Sequence, residues 1–442
     1  MKKSALAIFL IFSLILLPSC DISQGDSFGG IFSAVFNSEK QSFTQIPPLS
    51  FKTGSYTPLR QEYAYAQLET EEMRAAYKSL CESMYYISSE KAEDSKSWKL
   101  RRTSIPSLNS LEIFKVKEAI MADHPEAFWL SLKYSIGYSR AEGDYVILYS
   151  TSAPDTVLAK AKAMEEAVNN MLSRMEGGLS ELERELYLHD ALIKACEYDN
   201  AAVERPELNQ DSYSAYGALV NLEAVCSGYA PAFKLLLNLS GIECVTVTGT
   251  GKGQGHMWNA ARINGEWYQV DTTWDDPKTK SEDVPVYYWY FNISDEFMKK
   301  DHEYGVLFSQ VTNKDVESGV GSNYYNFDLP ACNSMSKNFF ALNAHHVQGF
   351  SYKERKKLVS YMEEIVAKGE STLYLEIDKS LEVSEAVNWL YYGDSPAFEH
   401  AAGAINEKGL YRKIKKYVPY TFTQDGNEYI WSNIIIIKLI FE

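Results

Sequence analysis

Clusters of metal-binding side chains are missing from this chain. The 442 residues include only seven histidines and six cysteines, and the cysteines form no CxxC pair. Structural zinc and iron–sulfur sites normally use such closely spaced ligands. The adjacent His345 and His346 fall on a predicted strand, where neighbouring side chains point to opposite faces. We therefore expect no metal and no other cofactor.

Positive charge is also scarce. The chain has 43 lysines and arginines against 59 aspartates and glutamates, which gives a formal net charge of −16. Proteins that bind nucleic acid neutralise phosphates with an excess of basic residues. The charge therefore disfavours nucleic acid and anionic lipid surfaces as partners. No internal repeat is evident either.

A nucleotide-binding loop is absent as well. The run GTGKGQG at residues 249–255 lacks the GK[ST] ending of a phosphate-binding loop. A predicted strand follows it, where a dinucleotide-binding motif requires a helix. The run is instead a glycine-rich loop directly before His256. It can be a mobile flap beside a cleft or an ordinary hairpin tip, and the sequence leaves both open.

Three short segments contain the groups needed for nucleophilic catalysis. They are AVCSGYA around Cys226, GHMWN around His256 and VDTTWDDP around Asp271. A thiol, an imidazole and a carboxylate can act as nucleophile, base and orienting group. Each residue alone also has a structural explanation, as a buried cysteine, a structural histidine or a turn-capping aspartate. Their occurrence together predicts a catalytic triad.

Local structure predicts how the triad comes together. Cys226 begins the apolar helix CSGYAPAFKLLLNLSG, whose N-terminal N–H groups favour a thiolate and can stabilise an oxyanion. The segment IECVTVT is a predicted strand. Asn264-Gly265 predicts a two-residue hairpin turn between HMWNAARI and EWYQVDTTW. With that turn as the centre, residue 258 pairs with about residue 271, so the His256 and Asp271 side chains can meet.

Neighbouring aromatic residues are candidates for the rest of the site. Tyr213 and Tyr216 lie shortly before the cysteine and can provide a hydroxyl to the oxyanion, or can be core residues. Trp258 can line the cleft or form the core of the hairpin. Asp275 and Asp276 precede a proline and predict a turn rather than a catalytic role.

The motifs and their order resemble those of the transglutaminase-like superfamily, which has a papain-like core. The shared features are the order Cys, His, Asp, the GYA after the cysteine, HxW, and DxTWDDP. Upstream segments LYLHDALIKACEYD and DSYSAYGALVNLEAVCSGYA, and the downstream YWYFNISDEFMKKDHEY, extend the resemblance over roughly residues 180–305. It implies that Cys226 is the nucleophile, His256 the general base and acid, and Asp271 the residue that orients the imidazole.

A complete triad predicts acyl transfer through a thioester on a protein or peptide substrate. With water as acceptor the protein is a peptidase or amidase, which is our first interpretation. With a lysine amine as acceptor it is a protein-crosslinking transglutaminase. A surface binding protein that uses the fold as a scaffold is the third alternative. Cell-wall peptides are one substrate class that fits.

The N-terminus predicts export and lipidation. MKK, the apolar run of residues 5–17 and LPSC, ending at Cys20, have the pattern of a secretory signal and resemble a bacterial lipobox. Pro18 departs from the commonest lipobox. We expect residues 1–20 to be a lipoprotein-type signal peptide, Cys20 to be acylated, and the protein to be extracytoplasmic and lipid-anchored to a bacterial membrane.

Beyond the signal, length and composition predict several domains and an α+β fold. Residues 21–58 are expected to be a flexible tether, 59–175 a mainly helical region with a hairpin around Glu142-Gly143, and 176–315 the catalytic domain. In that domain a helix bearing Cys226 packs on an antiparallel sheet bearing His256 and Asp271. Residues 325–442 form a small α+β domain that either binds a partner or is structural. Spacing does not pair the remaining cysteines, which are Cys81, Cys196, Cys244 and Cys332.

Overall fold

The computed structural model describes residues 42–59, 62–94, 96–277, 284–314, 324–420 and 431–442. The predicted signal peptide with Cys20, and residues 21–41 of the predicted tether, lie outside the described residues. Among those described, no helix combines the length and apolar character needed to cross a membrane. The chain divides into two compact units. The first comprises residues up to 54, 60–174 and 304–329, and the second comprises 55–59, 175–303 and 330–442.

The first unit contains a six-stranded sheet and three long helices. The sheet has the order β1-β2-β3-β6-β4, and β5 also pairs with β6. The strands are β1 (Phe43–Gln45), β2 (Tyr86–Lys91), β3 (Trp98–Leu100), β4 (Thr103–Ser104), β5 (Leu130–Ser139) and β6 (Gly143–Ser150). The helices are α1 (Glu71–Ser83), α2 (Ser110–Asp123) and α3 (Pro154–Ser173). Apolar side chains from both kinds of element form one buried core.

Two expectations for this unit need correction. The predicted hairpin is present, with Ser139 paired to Gly143. A mainly helical region nevertheless describes only part of the unit, because four further, shorter strands without clear periodicity join the hairpin in the sheet. The predicted tether also extends too far. Residues 43–45 pair with β2 and Ile46 is fully buried, since a three-residue strand is too short to show an alternating pattern.

The second unit begins with helices and the sheet that holds the predicted triad. The helices are α4 (Glu181–Ala195), α5 (Asn200–Glu204), α6 (Cys226–Leu239) and α7 (Asp295–Met298). A two-residue parallel pair joins β7 (Glu197–Tyr198) to β8 (Glu223–Ala224). The main sheet has the order β11-β10-β9-β12. Its strands are β9 (Cys244–Gly251), β10 (Gln254–Ile263), β11 (Glu266–Val270) and β12 (His302–Tyr304), and α6 packs against β9 and β10.

The register of this sheet confirms the sequence prediction. Asn264 and Gly265 both have positive φ, as a tight two-residue hairpin turn requires. Asn259 pairs with Val270, so the next residues along the two strands, Trp258 and Asp271, lie opposite each other. This register is the one predicted from the turn alone, and it brings residue 256 and residue 271 to the same end of the hairpin.

Further along the chain, a parallel pair of β13 (Val306–Leu307) and β14 (Tyr325–Asn326) belongs to the first unit. The C-terminal segment then adds a four-stranded sheet to the second unit, in the order β15-β16-β18-β17. Its strands are β15 (His345–Val347), β16 (Thr372–Ile377), β17 (Ile414–Tyr420) and β18 (Ile434–Phe441). Its helices are α8 (Phe339–Asn343), α9 (Tyr352–Ala367), α10 (Val383–Tyr391) and α11 (Ala397–Lys408). The expected α+β composition is confirmed.

The apolar residues of FFALNAHHV favour one continuous strand, but the first half is the helix α8 and only His345–Val347 form a strand. Asn338 accepts hydrogen bonds from the backbone N–H groups of Phe340 and Ala341. This side-chain cap starts a short helix before the strand begins at His345. His345 stacks on Tyr361, whereas His346 lies near the carboxylates of Glu376 and Asp378, so the two imidazoles do face different groups.

Candidate active site

Cys226 is the first residue of α6 and is partly exposed. Its backbone N–H is one of the first-turn donors that have no acceptor within the helix. The start of α6 lies very close to the preceding chain, because a Cβ atom at Gly228 would be 2.5 Å from the carbonyl oxygen of Ser212. Glycine in the GYA motif therefore allows the close packing that fixes the helix end and its cysteine.

His256 and Asp271 meet as predicted. His256 lies on β10 and Asp271 directly follows β11, and His256 Nε2 is 2.6 Å from Asp271 Oδ2. Asp271 is fully buried and His256 is 7% exposed. The other carboxylate oxygen, Oδ1, accepts hydrogen bonds from the backbone N–H groups of Thr273 and Trp274. The carboxylate thus orients the imidazole and also caps the turn that follows the strand.

The Cys226 thiol lies next to the His256 ring, close enough that its sulfur helps to raise the pKa of the imidazole. Because Nε2 is engaged by Asp271, Nδ1 is the nitrogen that remains for the thiol. Thiol, imidazole and carboxylate therefore lie together in the order that a cysteine nucleophile requires.

Burial and neighbouring charges have opposite effects on the pKa values of His256 and Asp271. Burial alone would lower the pKa of His256, but the Asp271 carboxylate and the Cys226 sulfur outweigh it and raise the pKa to about 10. Burial would raise the pKa of Asp271, but His256 and His302 hold it well below its usual range. The site therefore favours a charged imidazolium beside a charged carboxylate at neutral pH.

Asn259, in the GHMWN motif, connects the strand of the histidine to the helix of the cysteine. Its side-chain amide donates to the carbonyl oxygens of Ala230, on α6, at 3.0 Å and of Val245, on β9, at 3.3 Å. The residue is fully buried. It fixes the height of α6 over the sheet, and hence the position of Cys226 relative to His256. Sequence reasoning assigned no role to this residue.

The three candidate oxyanion or cleft residues lie in different surroundings. Tyr213 is close enough to Cys226 for the sulfur charge to raise the pKa of its phenol, after the larger effect of burial, and its hydroxyl donates to the Ala202 carbonyl. Tyr216 is buried, and the pKa of its phenol is raised by burial and then by the charge of Asp211. Trp258 is 1% exposed and packs against the His256 ring.

Tyr198 is a neighbour of the triad that the sequence did not reveal. It lies on β7 and is 39% exposed. Burial raises the pKa of its phenol, followed by the charges of Cys226 and Asp271. Its position follows from the parallel pairing of β7 with β8, which ends just before the cysteine. A two-residue strand pair has no recognisable sequence pattern.

His302, on β12, is a second histidine on the Asp271 carboxylate. Its Nε2 is 3.2 Å from Asp271 Oδ2, and its Nδ1 is 2.8 Å from Asp301 Oδ1. Burial lowers its pKa, but the bonds to Asp271 and Asp301 outweigh burial and raise it. The residue lies in the DHEY end of the downstream segment, which sequence analysis included in the resemblance without assigning a role.

Asp275 and Asp276 shape the turn, as expected, through specific partners. Asp275 Oδ2 is 3.1 Å from the Nε2 atom of the buried His189, and its Oδ1 accepts the backbone N–H of Tyr290. Asp276 accepts the hydroxyl of Tyr229 on α6. These contacts connect the loop after β11 to α4 and α6.

The glycine-rich run is a tight hairpin. β9 ends at Gly251 and β10 begins at Gln254, and the turn residues Lys252 and Gly253 both have positive φ. A Cβ atom at Gly251 would be 2.6 Å from the Trp274 ring, and one at Gly249 would be 2.0 Å from the Glu303 carbonyl oxygen. The glycines thus allow close contacts, and the ordinary hairpin tip is the alternative that the geometry favours.

Among the described residues, one group has the composition of a metal site. Ligand atoms of His256, Asp271 and His302 lie within 4.8 Å of one another. Their contacts are hydrogen bonds from two rings to one carboxylate oxygen, and the Cys226 thiol lies next to the His256 ring. We therefore interpret the group as a hydrogen-bonded network. None of the five cysteines in the described part of the chain forms a disulfide.

Comparison with known proteins agrees with the geometry. Residues 153–272 match the sequence model of the transglutaminase-like superfamily core. The human Kyphoscoliosis peptidase is 31% identical over 130 residues, covering 27% of this chain and 19% of that protein. The mouse Kyphoscoliosis peptidase is 30% identical over 123 residues, covering 25% of this chain and 18% of that protein. The match thus spans about a fifth of these relatives.

A solved structure of a TGase aligns with 42% of this chain and 53% of its own, at 12% identity and a TM-score of 0.24.

The match of residues 153–272 to the superfamily model includes Cys226 and His256 and extends through Asp271. Together with the helix-on-sheet geometry, it shows that the chain contains a core domain of the transglutaminase-like superfamily.

Proposed function

We propose that the protein is a cysteine-dependent acyl-transfer enzyme that acts on peptide or amide bonds, with Cys226 as the nucleophile. The observation that supports this most directly is the position of His256, whose Nε2 contacts the Asp271 carboxylate while its ring lies next to the Cys226 thiol. The thiol lies at a helix N-terminus, where the dipole favours a thiolate. The pKa of His256, raised to about 10, favours an imidazolium as its counterion.

The reaction proceeds in two steps. The Cys226 thiolate attacks the carbonyl carbon of the substrate, and the C–S bond forms as the carbonyl oxygen becomes an oxyanion. The His256 imidazolium then donates its proton to the leaving nitrogen, the C–N bond breaks, and a thioester remains. In the second step, His256 takes a proton from the acceptor. The acceptor attacks the thioester, the C–S bond breaks, and Cys226 leaves as the thiolate beside the His256 imidazolium.

Stabilisation of the oxyanion is assigned to groups at the start of α6. The backbone N–H of Cys226 is one donor. Tyr198 is the side chain that best fits as a second donor, because its hydroxyl is electrostatically coupled to Cys226 and the residue is partly exposed. Tyr213 is less suitable, since its hydroxyl is already donated to a backbone carbonyl.

Hydrolysis is our first assignment, with water as the acceptor, which makes the protein a peptidase or amidase. The test is to incubate the purified protein with a protein substrate and a fluorescent primary amine, with Cys226→Ala as the control. We expect new peptide termini that depend on Cys226. Cys226-dependent incorporation of the amine without cleavage would indicate a transglutaminase. The absence of both cleavage and amine incorporation would contradict the enzymatic proposal.

A further inference from the structure

We propose that His302 is a positioning and charge-setting residue of the Cys226–His256 pair, held as an imidazolium between the carboxylates of Asp271 and Asp301. The inference rests on the proposed function, because it concerns the same site. It goes beyond the triad, since it adds a second cation to the orienting carboxylate.

The hydrogen bonds of the ring require the positive charge. His302 Nε2 faces Asp271 Oδ2 at 3.2 Å and Nδ1 faces Asp301 Oδ1 at 2.8 Å. An ionised carboxylate has no proton to donate, so each ring nitrogen must provide one. A neutral imidazole has only one N–H group, whereas an imidazolium has two. The hydroxyl of Tyr290 also donates to Asp301, at 2.7 Å from Oδ2.

Packing holds the ring in this orientation. The His302 side chain is completely buried. Its ring contacts Trp258 at a centroid separation of 4.9 Å, Trp274 at 4.3 Å and Tyr290 at 5.3 Å. The His256 ring lies 5.3 Å away and contacts the same two tryptophans. The two imidazoles are therefore fixed in one aromatic cage around a shared carboxylate oxygen.

The charge at His302 has a definite effect on the catalytic pair. A cation beside Asp271 offsets part of the carboxylate charge that stabilises the His256 imidazolium, and it also favours the Cys226 thiolate. Without it, the His256 imidazolium should lose its proton at higher pH. Asp271, Asp301, His256 and Tyr290 are the ionisable groups that face His302 directly. Two lysines are also nearby. The Lys252 ammonium lies over the Trp274 ring, and Lys300 interacts with Asp301.

Alkylation of Cys226 tests this inference without a substrate. The rate of iodoacetamide labelling is followed from pH 4 to pH 11 by mass spectrometry of the peptide that contains Cys226. The profile reports formation of the thiolate at low pH and loss of the imidazolium at high pH. In His302→Gln we expect the high-pH transition, which reports the His256 imidazolium, to move upward by about one pH unit. Asp301→Asn should move it in the same direction, because His302 then loses the carboxylate that holds its second proton.

His345→Gln is the matched control. It makes the same substitution in the same unit, at a ring that stacks on Tyr361, and its profile should equal that of the unchanged protein. Lower rates with unmoved transitions in His302→Gln would overturn the inference, because a purely structural role has that result. If His302→Gln does not fold, the profile of Asp301→Asn decides. A shifted profile in a protein without cleavage or amine incorporation would support His302 and contradict the proposed function.

Discussion

Replacement of Asp271 by asparagine is the sharpest test of the triad. In the unchanged protein, Oδ2 accepts N–H groups from His256 and His302, while Oδ1 accepts the backbone N–H groups of Thr273 and Trp274. All four partners are donors, and asparagine has only one oxygen. If the amide oxygen stays with the two backbone donors, its NH₂ group faces the His256 ring.

The wrong tautomer of His256 follows from that arrangement. An NH₂ group at Nε2 requires an unprotonated nitrogen there, so the ring proton moves to Nδ1, which faces the thiol. His256 then cannot accept the thiol proton. Tautomer errors of this kind reduce the catalytic rate of hydrolases by about 10⁴-fold. We expect a loss of kcat/KM of roughly 10³- to 10⁴-fold for Asp271→Asn, which is about 4–5 kcal/mol of transition-state stabilisation.

The assay compares kcat/KM and the rate of Cys226 alkylation in three proteins. They are the unchanged chain, Asp271→Asn and Asp276→Asn. Asp276 lies in the same segment and bonds to the Tyr229 hydroxyl rather than to an imidazole, so its substitution controls for the loss of a nearby carboxylate. Circular dichroism confirms that each variant is folded. A folded Asp271→Asn protein with the rate of the Asp276→Asn control would refute the assignment of Asp271 as the orienting residue.

Two further predictions concern stability and location. Glu185 is fully buried with Oε1 lacking a partner, and burial raises the pKa of its carboxyl from 4.5 to about 8. Between those pH values only the unfolded chain releases the proton. The free energy of unfolding should therefore fall as pH rises, by a few kcal/mol at most. Glu185→Gln should remove this fall when urea unfolding is compared at pH 5 and pH 8, and parallel pH dependences in the two proteins would contradict it. For the proposed lipid anchor, the protein expressed in its host should partition into detergent and lose that behaviour with Cys20→Ala; recovery of unmodified protein from the cytosol would argue against the anchor.

Much of the site could be predicted because its parts are local in sequence. A helix start at Cys226, a turn at Asn264-Gly265 and the alternation of strand residues were sufficient to place His256 beside Asp271. Register is fixed by the turn, so a two-residue hairpin determines every pair that follows it. The α+β character of residues 325–442 was also predicted, because the apolar periodicity there is strong.

Contacts from distant segments could not be predicted in this way. His302 reaches Asp271 only because β12 pairs with β9 at the edge of the sheet, and Tyr198 lies near Cys226 only through a two-residue strand pair. Neither pairing has a local pattern. The six-stranded sheet of the first unit was largely missed for the same reason, since its shorter strands are too short to alternate visibly. Asn338 shows the remaining cause of error, a side-chain cap that started a helix where apolar residues favoured a strand.

The turn at Lys252-Gly253 offers a site for redesign. It has only two residues, and a side chain at Gly253 would meet no other atom within 4 Å. The strand that follows reaches His256 within three residues, so a peptide inserted here would extend from a rigid base next to the catalytic ring. Exposed hairpin tips tolerate insertions better than strand interiors. Libraries of inserted loops at this turn can therefore be screened for altered substrate preference while the residues of the triad stay unchanged.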